Sequence, residues 1–258
     1  MMILVTGASG SGKSEYAESL AVKLAGKIGG QNIGNEIQDA DCTTEFWDGY
    51  KSLESQKLYY LATMRVYGEE GMRRVERHRR LRAGKGFHTV ECPVNVDETF
   101  ARVCGEPDKK QKKESHICVV DVPDKREVRP VALLECMSNL VANEMFPEPQ
   151  DKKKSSCAEK KSLAGQKQDD MEIRNEQRTQ EKNACVRNII RQIKNLSTQT
   201  AHLVIVTNQI FEDGIVYEPE TMEYIRNLGQ INQVLAEMAD SVVEVVAGIP
   251  LMIKGKRM

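Results

Sequence analysis

A short apolar run, Met2-Ile3-Leu4-Val5-Thr6, leads straight into Gly7-Ala8-Ser9-Gly10-Ser11-Gly12-Lys13-Ser14. Tyr16, Ala17, Leu20, Ala21 and Leu24 then recur at helical spacing, with Glu15, Glu18 and Lys23 between them. The order is therefore buried strand, glycine-rich loop, helix. The loop matches GxxxxGK[ST] without a mismatch, in the context that motif requires. Glycines let the backbone wrap until several N–H groups point at one anion. The helix N-terminus adds the positive end of its dipole. In such a loop Lys13 reaches the β- and γ-phosphates as a point charge, and the Ser14 hydroxyl is placed to bind Mg²⁺. The motif thus predicts a nucleoside-triphosphate site and, with it, a P-loop NTPase fold.

The rest of the chain reads as alternating strands and helices. Strands are expected at 58–64, 117–121, 131–136 and 202–208, and helices at 69–82, 93–104, 186–196 and 219–239. Met72 and Val75 mark the apolar side of the 69–82 helix, and Ser138 reads as the N-cap of a further helix. Segments 241–248 and 250–254 read as a terminal antiparallel pair around Gly248-Ile249-Pro250. The fold class is α/β: a mainly parallel sheet with helices on both faces and an antiparallel C-terminal strand. A length of 258 residues fits one domain, 1–258, enlarged by insertions. One insertion, at about 147–185, departs from the rest. Within 151–182, 16 of 32 residues are charged and only Leu163, Met171 and Ile173 are large and apolar. That composition buries too little surface to offset the entropy of ordering, which predicts disorder or a loose polar helix.

A formal net charge of −1 argues against coating nucleic acid through bulk charge. No run of 18 apolar residues is present to span a membrane, and MMILVTGASG lacks the basic and apolar regions of a secretory signal. The 7 cysteines form no CxxC pair and read as reduced thiols. A cytoplasmic protein is the expectation.

Residues 73–82, RRVERHRRLR, admit two readings. One is a solvated basic helix. The other is an anion site with a nucleophile: a neutral His78 imidazole attacks phosphorus to form a phosphoramidate, while Arg74, Arg77, Arg79 and Arg82 hold phosphate oxygens. Neighbouring cations favour the neutral imidazole that attack requires. A P-loop also needs an acid near its metal. Asp121, ending ICVVD, and Glu135, ending VALLE, compete for that place, and the strand pattern slightly favours Asp121.

Taken together, the chain resembles the bifunctional adenosylcobinamide kinase / adenosylcobinamide-phosphate guanylyltransferase family of cobalamin biosynthesis. The matching pieces are 1–18, LYYLATM (58–64), EEGMRRVERHRRLR (69–82), TVE (89–91), ALLECMSNLVANEMF (132–146), VTNQIFEDGIVYEP (206–219) and the segment 229–254. They cover somewhat over a third of the chain, in order from end to end. The resemblance implies phosphorylation of the adenosylcobinamide hydroxyl by ATP or GTP. Transfer of GMP from GTP through a guanylylated histidine follows, to give adenosyl-GDP-cobinamide. The family's histidine falls on His78, catalytic together with Lys13. Its nucleotide contacts fall on Thr6, Gly7, Ala8, Ser9, Gly10, Ser11, Gly12, Lys13 and Ser14, on Ala62, Thr63 and Met64, on Arg79, Arg80, Leu81 and Arg82, and on Glu91 and Glu135. The resemblance favours Glu135 over Asp121, and so implies Ser14 and Glu135 as the Mg²⁺ side chains. It further implies a corrinoid and nucleotides as the small-molecule partners and a homotrimer.

Departures from the family pattern fall at Phe87, often Trp there, at Gln209, usually Glu, and at Gln230, usually Arg. The loop 210–214 is one residue longer than usual. None of these touches Lys13 or His78; they bear on substrate contacts. The alternative function is a P-loop small-molecule kinase without the guanylyltransferase step.

Overall fold

The computed structural model describes residues 1–26, 56–105, 129–148, 170–210, 214–215 and 217–255, with backbone alone at 74, 81, 105 and 170–183. Seven strands form one sheet: β1 (Met2–Thr6), β2 (Leu58–Ala62), β3 (His88–Glu91), β4 (Val131–Glu135), β5 (His202–Val206), β6 (Ser241–Val246) and β7 (Ile249–Lys254). Their order is β3-β2-β4-β5-β1-β6-β7. The first six are parallel, and β7 returns antiparallel to β6. The helices are α1 (Lys13–Leu24), α2 (Gly68–Arg82), α3 (Val96–Gly105), α4 (Met137–Met145), α5 (Asp170–Gln199) and α6 (Pro219–Met238).

Because side chains alternate across a strand, each parallel strand feeds two cores. Ile3, Val5, Leu58, Tyr60, Leu133, Val204 and Val243 pack under Ala17, Leu20, Ala21 and Leu24 of α1. Met2, Leu4, Tyr59, Leu61, Leu134 and Ile205 pack on the other face. There they meet Phe100 of α3, Leu140 of α4, Ile193 of α5 and Ile231 of α6. Both faces are covered, as parallel sheets require, and the α/β P-loop architecture expected from the strand–helix alternation is what the chain adopts.

Several local expectations are revised. β3 is an unforeseen edge strand, short and with only Val90 buried, so its apolar signal is slight. Ser138 lies inside α4, whose N-cap position is Cys136. Its hydroxyl instead meets Cys136 Sγ at 2.9 Å and accepts from Asn208 Nδ2 at 2.7 Å. On α2, Met72 is 57% exposed; the covered side is Gly71, Val75, His78 and Arg82. The helix of 186–196 begins earlier, at Asp170, so α5 takes in the last part of the charged segment. The strand expected at 117–121, with Asp121, lies outside the described residues, as does 149–169 of the insertion.

Candidate active site

Parallel strands all end at one edge of the sheet, and the ligand crevice of such a sheet lies there. At that edge β1 gives way to the Gly7–Gly12 loop. Gly12 adopts φ 88°, a left-handed turn that lets α1 start at Lys13. A Cβ at Gly7 would stand 2.6 Å from both the Val245 carbonyl oxygen and Ser11 Oγ. The loop is braced from both sides: Gln209 N–H donates to the Gly7 carbonyl at 3.1 Å, and Gly248 N–H to the Ser11 carbonyl at 2.8 Å. Gly7→Ala should therefore lower nucleotide affinity at least about tenfold, since backbone must give way. Equilibrium titration with a nucleotide tests this, and wild-type affinity would contradict it.

Lys13 is only 6% exposed. Its Nζ donates to the Ala8 carbonyl at 3.0 Å, curling back over the loop. Burial lowers its pKa, opposed by the charge of Glu135. Ser14 Oγ donates to Glu135 Oε1 at 2.8 Å, joining the start of α1 to the end of β4 across the intervening β5. The second oxygen, Glu135 Oε2, is fully covered and has no hydrogen-bond partner among the described residues, and the same holds for Ser11 Oγ. Burial pushes the Glu135 carboxyl up to about 7; the Ser14 hydrogen bond and Lys13 oppose the rise.

This shift has a sign for stability. The folded chain binds the Glu135 proton more tightly than the unfolded chain. The stabilisation is therefore fully present below the ordinary carboxyl value of 4.5 and lost as pH rises through about 7. Glu135→Gln should remove that loss and leave the variant more stable than wild type above pH ~7. Urea midpoints measured across this range check it; equal midpoints at high pH would contradict it.

Strand register brings further expected residues to the same edge. Ala62 pairs with Glu91 on one side and Glu135 on the other. Thr63 follows, completely buried. Its hydroxyl lies 3.0 Å from the Glu135 carbonyl and 2.8 Å from that of Cys136, and accepts from Cys136 N–H at 2.8 Å. Asn143 Nδ2 ties the Thr63 carbonyl at 2.8 Å and that of Pro93 at 2.9 Å. Thr63 thus bears on the backbone that carries Glu135. Nothing in the linear pattern announced that role; it depends on β2 lying beside β4. Met64 sits half-buried just beyond.

On α2, His78 and Arg82 stand four residues apart on the covered side. The Arg82 guanidinium lies 3.6 Å from the centroid of the Tyr60 ring. Arg79 and Glu91, both expected at the nucleotide, pair with each other at 3.3 Å. Arg80 pairs with Glu76 at 3.1 Å, facing outward. Met72, Arg73, Arg77 and Arg80 line a shallow depression on the far side of the helix from His78. Among the described side chains Arg73, Arg77, Arg79 and Arg80 therefore do not gather around His78, and Arg82 shares its face; Arg74 is described by its backbone alone. Leu81 is described by its backbone alone.

The sheet order, the loop and the Lys13–Ser14–Glu135 grouping define a P-loop nucleotide-dependent enzyme. A family model for RNA helicase also matches residues 3–59, which hold this loop. The family model for cobinamide kinase / cobinamide phosphate guanyltransferase matches residues 110–253, and the chain belongs to that family. It is accordingly an enzyme of a kind that joins kinase and nucleotidyltransferase activities. The chain is 28% identical over 257 residues to the bifunctional adenosylcobalamin biosynthesis protein CobU of Escherichia coli (strain K12), covering 98% of this chain and 100% of that protein. It is 26% identical over 259 residues to the protein of the same description from Salmonella typhimurium (strain LT2), with 98% and 100% covered. A solved structure, flagellar accessory protein FlaH from Methanocaldococcus jannaschii, aligns at TM-score 0.36 and 8% identity over 99% of this chain and 78% of that one. Among the described residues no helix is long and apolar enough to cross a membrane.

Proposed function

We propose that the chain phosphorylates the hydroxyl of adenosylcobinamide and then transfers GMP from GTP onto the product through His78. In the first step the hydroxyl oxygen attacks the γ-phosphorus of ATP or GTP, the nucleoside diphosphate leaves, and the hydroxyl proton passes to solvent. In the second a neutral His78 ring nitrogen attacks the α-phosphorus of GTP, and pyrophosphate leaves. In the third a phosphate oxygen of adenosylcobinamide phosphate attacks the same phosphorus. The N–P bond breaks, and adenosyl-GDP-cobinamide departs with the imidazole neutral again.

The loop N–H groups and Lys13 hold the phosphates and meet the charge that develops on them. Among the described side chains Arg82 is a guanidinium on the His78 side of α2, and Arg79 pairs with Glu91 of the edge strand β3. Two hard oxygens, Ser14 Oγ and Glu135 Oε2, suit Mg²⁺, which takes few protein ligands and leaves the rest to phosphates and water. Ser14 and Glu135 would hold the ion. When bound, it neutralises phosphate charge. The resemblance extends the proposal to a homotrimer, which should sediment at three times the 29.0 kDa chain mass, and to a cytoplasmic setting.

One observation favours this reading over a kinase without the transferase step: His78 sits on the covered side of α2 with Arg82, while Arg77 and Arg79 beside it face outward. A histidine of a merely solvated basic helix has no reason to take that side. The test is incubation with α-labelled GTP and Mg²⁺. Acid-labile, alkali-stable label on the protein is expected. No label, with cobinamide phosphorylation retained, would leave the kinase-only alternative.

A further inference from the structure

We propose that the ion pair of Glu18 and Lys85, with Arg82 seated on Tyr60, positions His78 for guanylyl transfer by locking the end of α2 to the helix that carries the P-loop lysine. The inference rests on the transferase reading above and adds two residues to it. Glu18 is one turn beyond Ser14 on α1 and is 2% exposed. Its Oε2 accepts from Lys85 Nζ at 2.7 Å. Lys85 stands just past α2, and its N–H donates to the Arg82 carbonyl at 3.1 Å, so it continues the helix end as a tight turn. Arg82 is held in turn over Tyr60, whose ring also receives Phe87 edge-on at 5.9 Å. His78 lies one turn back from Arg82 on the same side.

These contacts all hold the C-terminal end of α2. At its other end Tyr67 and Met72 are exposed, and a contact there is the Tyr67 hydroxyl donating to Glu148 Oε1 at 2.7 Å near the surface. As a source of stability the pair is a poor choice, because withdrawing a carboxylate and an ammonium from water costs about as much as their attraction returns. As a directional tie it is specific: it forms only when α1 and the end of α2 meet in one geometry. Reaction geometry is sensitive to that, since a misplacement of ~1 Å costs about 100-fold in rate. Glu18 and Lys85 are thus positioning residues; neither needs to touch the nucleotide.

The test uses the full chain and the variants Lys85→Met, Glu18→Met/Lys85→Met and Lys85→Arg. The double variant replaces both charges by apolar groups, so no unpaired charge is left buried and folding is preserved. It should melt no lower than wild type and bind GTP within about twofold, yet acquire label from α-labelled GTP at least about tenfold more slowly in a single turnover. Lys85→Met alone should slow labelling by at least as much, and Lys85→Arg, which keeps the charge, should recover most of the rate. Labelling of the double variant at the wild-type rate would overturn the proposal. Loss of GTP binding in step with labelling would also overturn it, since the pair would then serve the P-loop helix itself. Absence of label on wild type would instead sink the transferase reading, which the variants do not test.

Discussion

Lys13→Met should reduce phosphoryl transfer by about 10³-fold while the chain stays folded. The replacement is close in length and apolar, so the stem can keep its place against the loop. What disappears is the ammonium that reaches back to the Ala8 carbonyl and stands near Glu135. Two consequences follow. Phosphate charge in the transition state loses the loop's own cation. The Glu135 carboxyl also loses a charge that holds its pKa down, so it should take up a proton more readily and be a weaker oxygen donor. Lys13→Arg should not restore activity, because the buried site is shaped around a point charge and not a planar fork. Steady-state transfer with nucleotide titration checks this. Turnover within about threefold of wild type would remove Lys13 from the machinery.

His78→Ala should abolish guanylylation of the protein, a loss of about 10⁴-fold or more in GMP transfer, and leave the first phosphoryl transfer nearly intact. The separation is expected because His78 is on α2, whereas Lys13, Ser14 and Glu135 are joined without it. A nucleophile has no substitute: with the imidazole gone, no N–P bond can form. Arg82→Met should act differently. It leaves the nucleophile but removes a cation that shares its side of the helix, so labelling should slow and not vanish. Measuring label on protein and cobinamide phosphorylation in parallel distinguishes the cases. Label on His78→Ala at the wild-type level would place the nucleophile elsewhere.

Contiguous features were legible in the sequence. The β1–loop–α1 unit reads from local pattern because its function is local: backbone turns at glycine, a dipole at Lys13, and side chains at adjacent positions. The alternation of strands and helices read well for the same reason, as each buried run carries its own signal. β3 escaped because one buried residue, Val90, makes no pattern. Ser138 misled because a hydroxyl before an apolar run suits a cap, yet its partners, Cys136 and Asn208, come partly from another loop. The arginines of 73–82 suggested one cluster. The helix instead turns Arg82 inward and sends Arg73, Arg77, Arg79 and Arg80 outward.

By itself the sequence determined that this chain presents a phosphate cradle on an α/β scaffold, because a glycine-rich turn between strand and helix acts through neighbouring atoms only. The strand pattern alone left Asp121 and Glu135 both open, and the family resemblance favoured Glu135, but the contact that brings an acid to that cradle is tertiary. Glu135 meets Ser14 across 121 residues because β4, β5 and β1 are adjacent in the sheet and end at one edge. Thr63, Glu18 and Lys85 take their places for the same reason. Their partners lie on other elements, and pairing over such distances depends on strand order and helix packing, which no local spacing encodes.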